Sequence, residues 1–169
     1  MQGARKKVLM VAAAIATSIA VAGGRVVTDL SGEGWTFVWC MYDFGADARR
    51  EGIRFGLNDK GLVAYDHETR KDAFWFYKAN WTKEPFLHLV GSRMASTTNS
   101  AVTVMAFWNG EGAVSLKVNG ENRGSLQPDS VNTAIWRDVN LRSGDNEIEV
   151  SAGGMSRSAH WRLKGEHIR

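Results

Sequence analysis

The sequence predicts a mainly β fold, an immunoglobulin-like β-sandwich preceded by a shorter segment of mixed character. Three observations lead to this prediction. From Pro85 onward, apolar and polar residues alternate with a period of two, as on strands that bury one face. Turn-forming pairs such as Asn119-Gly120 separate these runs. About seven short strands fit into roughly 80 residues without a long helix between them, as in immunoglobulin-like sandwiches.

The first 22 residues have the pattern of a secretory signal peptide. Basic residues 5–7 precede the apolar run 8–16, and Ala20 and Ala22 then supply small residues at positions −3 and −1 of a cleavage site. The alternative, a single membrane anchor, needs about 20 apolar residues, and the Ala-rich run is shorter. We therefore expect cleavage of residues 1–22, no membrane span afterwards, and a periplasmic or secreted protein.

The charge balance argues against a nucleic-acid partner. The whole chain carries 21 Lys and Arg against 18 Asp and Glu, but three of the basic residues lie in the signal segment. The remainder is formally neutral, so the electrostatic basis for binding a polyanion is absent.

Cys40 is the single cysteine of the chain, which excludes an internal disulfide. It lies in an apolar run, where a lone cysteine most often packs in a core. Neither Cys40 nor any of the histidines has the spacing of metal ligands. The histidines are His67, His88, His160 and His167. No metal and no other cofactor is therefore predicted.

The segment before Pro85 has a mixed pattern. Residues 35–42 form a nearly continuous run of aromatic and β-branched residues, typical of a strand buried on both faces, as in the parallel sheet of a barrel. Residues 43–59 have the glycines and charges of a loop, and 62–65 form a short extended piece. Residues 68–81 have apolar residues at helical spacing, and Pro85 lies shortly after their end, which predicts a helix.

The periodicity changes at residues 81–85, where no flexible linker is present. This change predicts three segments: the signal peptide 1–22, a first segment 23–84 and the sandwich 85–169. The predicted sandwich strands are residues 86–90, 101–108, 113–118, 133–136, 146–150 and 159–163.

Several motifs resemble the end of the catalytic barrel in glycoside hydrolase family 2 enzymes of the β-galactosidase type. Residues 37–44 align with the family's last barrel strand: they read Phe-Val-Trp-Cys-Met-Tyr-Asp-Phe, and the family reads Phe-Val-Trp-Asn-Met-Phe-Asp-Phe. Residues 56–66 and 71–81 resemble the loop and helix that come after that strand. The resemblance covers about residues 35–163. It implies that 23–84 is the C-terminal remnant of a (β/α)8 barrel, last strand, loop and helix, joined to the family's accessory sandwich. Without neighbouring barrel strands, the aromatic faces of the strand would be exposed.

The resemblance also implies a sugar site. In the family the Trp at the position of Trp39 forms a wall of the sugar subsite, where an aromatic plane packs against pyranose C–H groups. Cys40 stands where the family has Asn. Asn58 and Lys60 form an Asn-x-Lys pattern similar to the element that contacts the sugar carboxylate in family 2 β-glucuronidases, a pairing that favours a uronic acid. The alternative is a plain loop with a solvated lysine. Trp39, Asn58 and Lys60 are thus the predicted substrate-binding residues, and carbohydrate is the predicted partner.

No catalytic residue is predicted. Asp43 opens a charged loop where the active-site face of a barrel would be. Retaining hydrolysis needs two carboxyl groups about 5–5.5 Å apart on rigid strand ends. The family carries both as glutamates on earlier barrel strands; no segment here matches those motifs, and Glu33 and Glu51 lie in loop-like contexts. The resemblance implies part of an exported hydrolase of β-galactosides, or of glucuronides, that is inactive alone.

A non-catalytic carbohydrate-binding or structural β-sandwich is the alternative function. Trp108, Trp136 and Trp161 would form its binding platform if their rings were exposed. Aromatic residues on period-two strands more often fill the space between two sheets, which favours core positions for all three.

Overall fold

The computed structural model of the chain describes residues 26–28, 36–49 and 55–165. The fold is mainly β, as predicted, with strands in both parts of the chain. The chain divides into two compact units, and the division lies between Phe74 and Trp75. Among the described residues, no helix combines the length and the apolar character needed to cross a membrane. The predicted signal peptide and both loop glutamates, Glu33 and Glu51, lie outside the described residues.

The first unit contains two short antiparallel pairs. Strands β1 (Val26–Thr28) and β2 (Thr36–Val38) pair with each other, as do β3 (Phe44–Gly45) and β4 (Leu57–Asn58). A parallel bridge joins Tyr42 to Val63, so the backbone after β2 runs beside the segment that leads to the helix.

The predicted strand over residues 35–42 is only partly correct. Its regular part is β2, and its partner β1 is antiparallel, not parallel. Trp39, Met41 and Tyr42 are 55%, 45% and 41% exposed. The expectation of a strand buried on both faces is therefore wrong for this chain. The physical reason is that its described neighbours are only the short strand β1 and the parallel bridge from Tyr42 to Val63, which leave Trp39, Met41 and Tyr42 largely at the surface.

The helix α1 (Asp72–Trp81) begins four residues later than the predicted 68–81. The side chain of Asp66 accepts hydrogen bonds from the backbone amides of Glu68 and Thr69, which form a turn instead of a first helical turn. This local side-chain bonding competes with the helix and explains the later start.

All of α1 after its first three residues belongs to the second unit. Its Phe76 packs edge to face on Phe107, with ring centroids 5.6 Å apart. Near its end, the Nδ2 atom of Asn132 donates to the carbonyl of Ala79 at 2.9 Å. Periodicity alone predicts a domain boundary at 84/85. That boundary stays a prediction, because a helix can pack with a sandwich that it precedes.

The second unit is a β-sandwich of two sheets. One sheet has three strands in the order β10-β7-β5, and the other has five in the order β6-β12-β11-β8-β9. All pairs are antiparallel except β6 with β12. The strands are β5 (Leu87–Leu89), β6 (Ser96–Thr97), β7 (Ala101–Trp108), β8 (Val114–Val118), β9 (Glu121–Leu126), β10 (Thr133–Asn140), β11 (Gly144–Ala152) and β12 (Met155–Leu163).

Alternation of apolar residues builds the core of the sandwich. Val114, Leu116 and Val118 of β8 are completely buried, and the residues between them point outward. Both sheets contribute to one continuous apolar cluster that includes Leu87 from the first sheet and Trp161 from the second. Burial of such side chains contributes about 1.5–3 kcal/mol each, which makes this cluster the main source of stability.

The turn between β8 and β9 agrees with the sequence signal. Asn119 and Gly120 have φ angles of 54° and 81°, as the two central positions of a type I′ turn require. Strand β9, which comes next, was not among the predicted strands. Each of its residues is exposed and most are polar, so it carries no alternation by which the sequence could reveal it.

Candidate functional site

Trp39 lies at the surface of the first unit. Its indole contacts the ring of Phe44 edge to face, with centroids 6.3 Å apart and planes at 84°. The peptide bond between Trp39 and Cys40 is cis. The exposed ring offers a flat apolar surface, as a sugar-binding wall requires.

Asn58 lies on β4, directly opposite Phe44 on β3. It is 1% exposed. Its Oδ1 atom accepts a hydrogen bond from the backbone amide of Lys60 at 3.2 Å, which closes a short turn. Its Nδ2 atom is buried and has no acceptor in the described part of the chain. A buried donor without a partner costs about 1–3 kcal/mol, so this amide needs an explanation.

Lys60 is half-buried, two residues after Asn58. The structure thus connects all three predicted residues: Trp39 contacts Phe44, Phe44 pairs with Asn58, and Asn58 binds the backbone of Lys60. The turn that Asn58 closes fits both a sugar site and a plain loop, so the binding role of the three residues stays a prediction.

Asp43 and Lys71 form a partly buried ion pair that sequence reasoning missed. Asp43 is 4% exposed, although its sequence context predicted a charged loop. Its Oδ1 atom lies 2.6 Å from Nζ of Lys71 and accepts the backbone amide of Gly61 at 2.8 Å. Lys71 also donates to the carbonyl of Asp59 at 2.7 Å. The signal that could have indicated the pair is the position of Asp43 directly after an apolar run. A carboxylate that is buried there requires a partner, such as a lysine.

Cys40 is half-buried beside this pair, not in a core as expected for a lone cysteine. Its thiol donates to the carbonyl oxygen of Tyr42 at 3.0 Å. Burial raises the pKa of the thiol above its usual value, the Asp43 carboxylate raises it further, and the Lys71 ammonium partly offsets this. The thiol is therefore a poor nucleophile at neutral pH.

The sandwich does not present the aromatic platform of the alternative function. Trp108, Trp136 and Trp161 are buried in its core, as expected from the period-two pattern. A cleft of about 430 Å³ lies beside β9 and β10, lined by polar residues such as Arg123 and Arg137 and by apolar ones such as Ile135 and Val139. Its aromatic residue, Trp136, is buried and offers no ring face for a sugar to stack on.

No group of three or more His, Cys, Asp and Glu side chains that could hold a metal ion occurs within residues 36–49 and 55–165.

Comparison with known proteins shows that the chain is similar to part of several glycosidases. No protein-family model matches it. A β-glucuronidase from Bacteroides fragilis is 48% identical over 120 residues, which is 70% of this chain and 17% of that protein. The crystal structure of an FMN-binding β-glucuronidase from Facaelibacterium prausnitzii L2-6 is 35% identical to this chain, with a TM-score of 0.65. The match covers 76% of this chain and 19% of the glucuronidase chain. The chain corresponds to a C-terminal portion of a family 2-type glycoside hydrolase.

A second solved structure agrees with this assignment. A candidate β-galactosidase from Bacteroides fragilis matches 76% of this family 2-type chain and 20% of its own chain, with 28% identity and a TM-score of 0.68. The resemblance and the mainly β fold predicted from the sequence are thereby confirmed. The chain spans a fifth or less of the length of each of these three relatives.

Proposed function

We propose that the chain supplies one wall of the sugar-binding site of an exported family 2-type β-glucuronidase, and that it does not hydrolyse glycosides alone. Asn58 carries this proposal: its buried Nδ2 donor has no acceptor in the described part of the chain, and the Lys60 ammonium group belongs to the residue two positions later. An oxygen-rich anionic ligand is the chemical class that satisfies an amide donor and a cation together.

The carboxylate of a uronic acid fits this pair. A carboxylate has two oxygens, so it can accept from the amide of Asn58 and from the ammonium of Lys60 at the same time. A neutral galactoside has a hydroxymethyl group at that position and gains no charge-assisted hydrogen bond. Among the two substrate classes considered from the sequence, we therefore favour glucuronides over galactosides. The β-glucuronidase names of two relatives support this choice.

Trp39 supplies the apolar part of the site. Its exposed indole can pack against the C–H face of a pyranose ring while the carboxylate binds at the ring's edge. Charged and apolar recognition would then come from residues of a single compact unit.

Catalysis requires groups that we do not assign to this chain. Retaining hydrolysis uses an acid/base and a nucleophile held about 5–5.5 Å apart, and no motif of the chain matches either glutamate of the family. In the complete enzyme, residues 23–84 would form the end of the barrel, and the signal pattern of residues 1–22 would direct export to the periplasm or beyond.

Ligand titration of the purified chain tests the binding proposal. Methyl β-D-glucuronide and methyl β-D-galactoside are titrated separately, and the indole resonance of Trp39 is followed by NMR. We expect the glucuronide to bind more tightly, and Asn58→Ala and Lys60→Met each to weaken glucuronide binding about tenfold or more because each removes a hydrogen bond to a charged group. Lys117→Met, on the exposed face of β8, is the matched control. Equal affinity for both sugars would contradict the proposal.

An activity assay tests the proposal that the chain does not hydrolyse glycosides alone. We expect no release of nitrophenol from an aryl β-glucuronide or an aryl β-galactoside by the purified chain. Hydrolysis that disappears in Glu33→Gln or Glu51→Gln would overturn the conclusion that the chain lacks catalytic carboxylates.

A further inference from the structure

The loop of residues 58–61 is held at three separate points. Asn58 pairs with Phe44 across the β3–β4 ladder. The carbonyl of Asp59 accepts from Nζ of Lys71, and the amide of Gly61 donates to Oδ1 of Asp43. The backbone of Lys60 therefore lies between anchored residues on both sides.

Asp43 and Lys71 supply two of these three anchors and are bound to each other. Their side-chain atoms Oδ1 and Nζ are 2.6 Å apart, and the two residues are 28 positions apart in the chain. Each side chain also makes a hydrogen bond to a backbone group of the loop. A buried carboxylate and a partly buried ammonium are both costly to desolvate, so this arrangement requires close pairing and additional hydrogen bonds.

Gly61 is the residue that permits this arrangement. A Cβ atom at this position would collide with the backbone nitrogen of Asp43 and lie 2.7 Å from its Oδ1 atom. Only glycine allows the loop to approach the carboxylate closely enough for the amide to bond to it.

We propose that Asp43 and Lys71 are positioning residues for carboxylate recognition: their ion pair fixes the loop so that Asn58 and Lys60 present their donors in one arrangement. This inference rests on the proposed function of Asn58 and Lys60. Binding a carboxylate with a long, flexible lysine costs conformational entropy, and a fixed backbone on both sides of Lys60 lowers that cost. The pair also neutralises the negative charge of Asp43 internally, so that this charge does not oppose a bound anion.

A stabilising role alone would predict a different outcome from a positioning role. If the ion pair only stabilised the first unit, its loss would weaken all ligands of that unit equally. If it positions the two donors, its loss weakens glucuronide binding and leaves galactoside binding unchanged. The ratio of the two dissociation constants therefore separates the two roles.

The test uses the full chain with Lys71→Met, the isosteric Asp43→Asn, and the double variant. We expect each single change to weaken binding of methyl β-D-glucuronide about tenfold, with the galactoside unchanged. The double variant should lose little more than either single variant, because the two side chains act through one shared interaction. Lys83→Met is the control, since Lys83 is exposed and should leave both affinities unchanged.

Amide hydrogen exchange of Gly61 provides a readout that does not depend on sugar binding. We expect the exchange rate to rise about tenfold or more in Asp43→Asn, which weakens the acceptor of this amide. Unchanged Gly61 exchange would overturn the ion pair as an anchor of the loop. Faster Gly61 exchange with an unchanged ratio of the glucuronide and galactoside dissociation constants would overturn the positioning role of the ion pair. A wild-type chain that binds neither sugar, with Gly61 exchange responding as expected, would instead contradict the proposed function.

Discussion

Replacement of Asn146 by alanine should destabilise the sandwich more than any surface change. Asn146 is completely buried near the start of β11. Its Nδ2 atom donates to the carbonyls of Arg142 and Gly144 at 2.8 and 3.0 Å. Its Oδ1 atom accepts from the amide of Arg142 at 2.9 Å and from Nδ2 of Asn119 at 3.0 Å. One side chain thus joins the turn before β11 to the turn before β9.

The magnitude is set by these four hydrogen bonds and by a longer fifth one, 3.4 Å from Nδ2 to the carbonyl of Trp161. Each contributes about 1 kcal/mol net, and buried groups that lose their partner cost about 1–3 kcal/mol. Arg142 is exposed, so water can reach part of the turn and lowers the total. We expect Asn146→Ala to reduce the free energy of unfolding of the sandwich by about 3 kcal/mol, a large fraction of the roughly 5–15 kcal/mol typical of a domain.

Amide hydrogen exchange of β11 and β12 is the appropriate assay, because it reports on the second unit alone. A loss of about 3 kcal/mol corresponds to exchange faster by about a hundredfold for amides that exchange through global unfolding. Asn140→Ala on the exposed end of β10 is the control and should stay within about 0.5 kcal/mol. A change below about 1 kcal/mol for Asn146→Ala would refute the reasoning that its hydrogen bonds hold the two turns together.

Three further predictions concern other parts of the chain. Gly153→Ala should lower the thermal midpoint of the sandwich by several degrees, because a Cβ atom there would lie 2.6 Å from the Trp108 ring. An unchanged midpoint would contradict this close contact. Asp43→Asn should speed alkylation of Cys40 at pH 8, since the carboxylate helps to raise the thiol pKa; a slower reaction would contradict this cause. Burial raises the pKa of Tyr77 above 10.0. The neutral phenol therefore stabilises the fold fully below pH 10, and this stabilisation is lost as the pH rises through the folded-state pKa. Denaturation at pH 9 and 11 should show the loss, and Tyr77→Phe should abolish this pH dependence.

The sandwich could be predicted from the sequence because its signals are local. The period-two runs of β7 and β8 and the Asn119-Gly120 pair each act within a few residues of the chain. Strand β9 could not be predicted, since it is exposed throughout and forms only because the turn returns the chain along β8. The helix α1 begins later than predicted for a similarly local reason, which is the hydrogen bonds of the Asp66 side chain.

The candidate site was predictable only in part. Trp39, Asn58 and Lys60 were identified through sequence motifs, and the structure connects them through Phe44. The Asp43–Lys71 pair was not identified, because a contact between residues 28 positions apart leaves no spacing pattern in a single sequence. The exposure of Trp39 likewise depends on which strands lie beside it, which is a property of the tertiary structure.

The two ends of the five-stranded sheet are poor templates for aggregation. At one end β6 pairs only with Arg162 and Leu163, so most of that edge is β12, which carries exposed polar side chains such as Arg157 and His160. At the other end β9 carries charged and polar side chains, and an irregularity in its pairing with β8 twists the backbone between Ser115 and Lys117. Open strand edges normally invite misassembly, so these features should let the sandwich remain soluble at concentrations where a flat apolar edge would form fibrils.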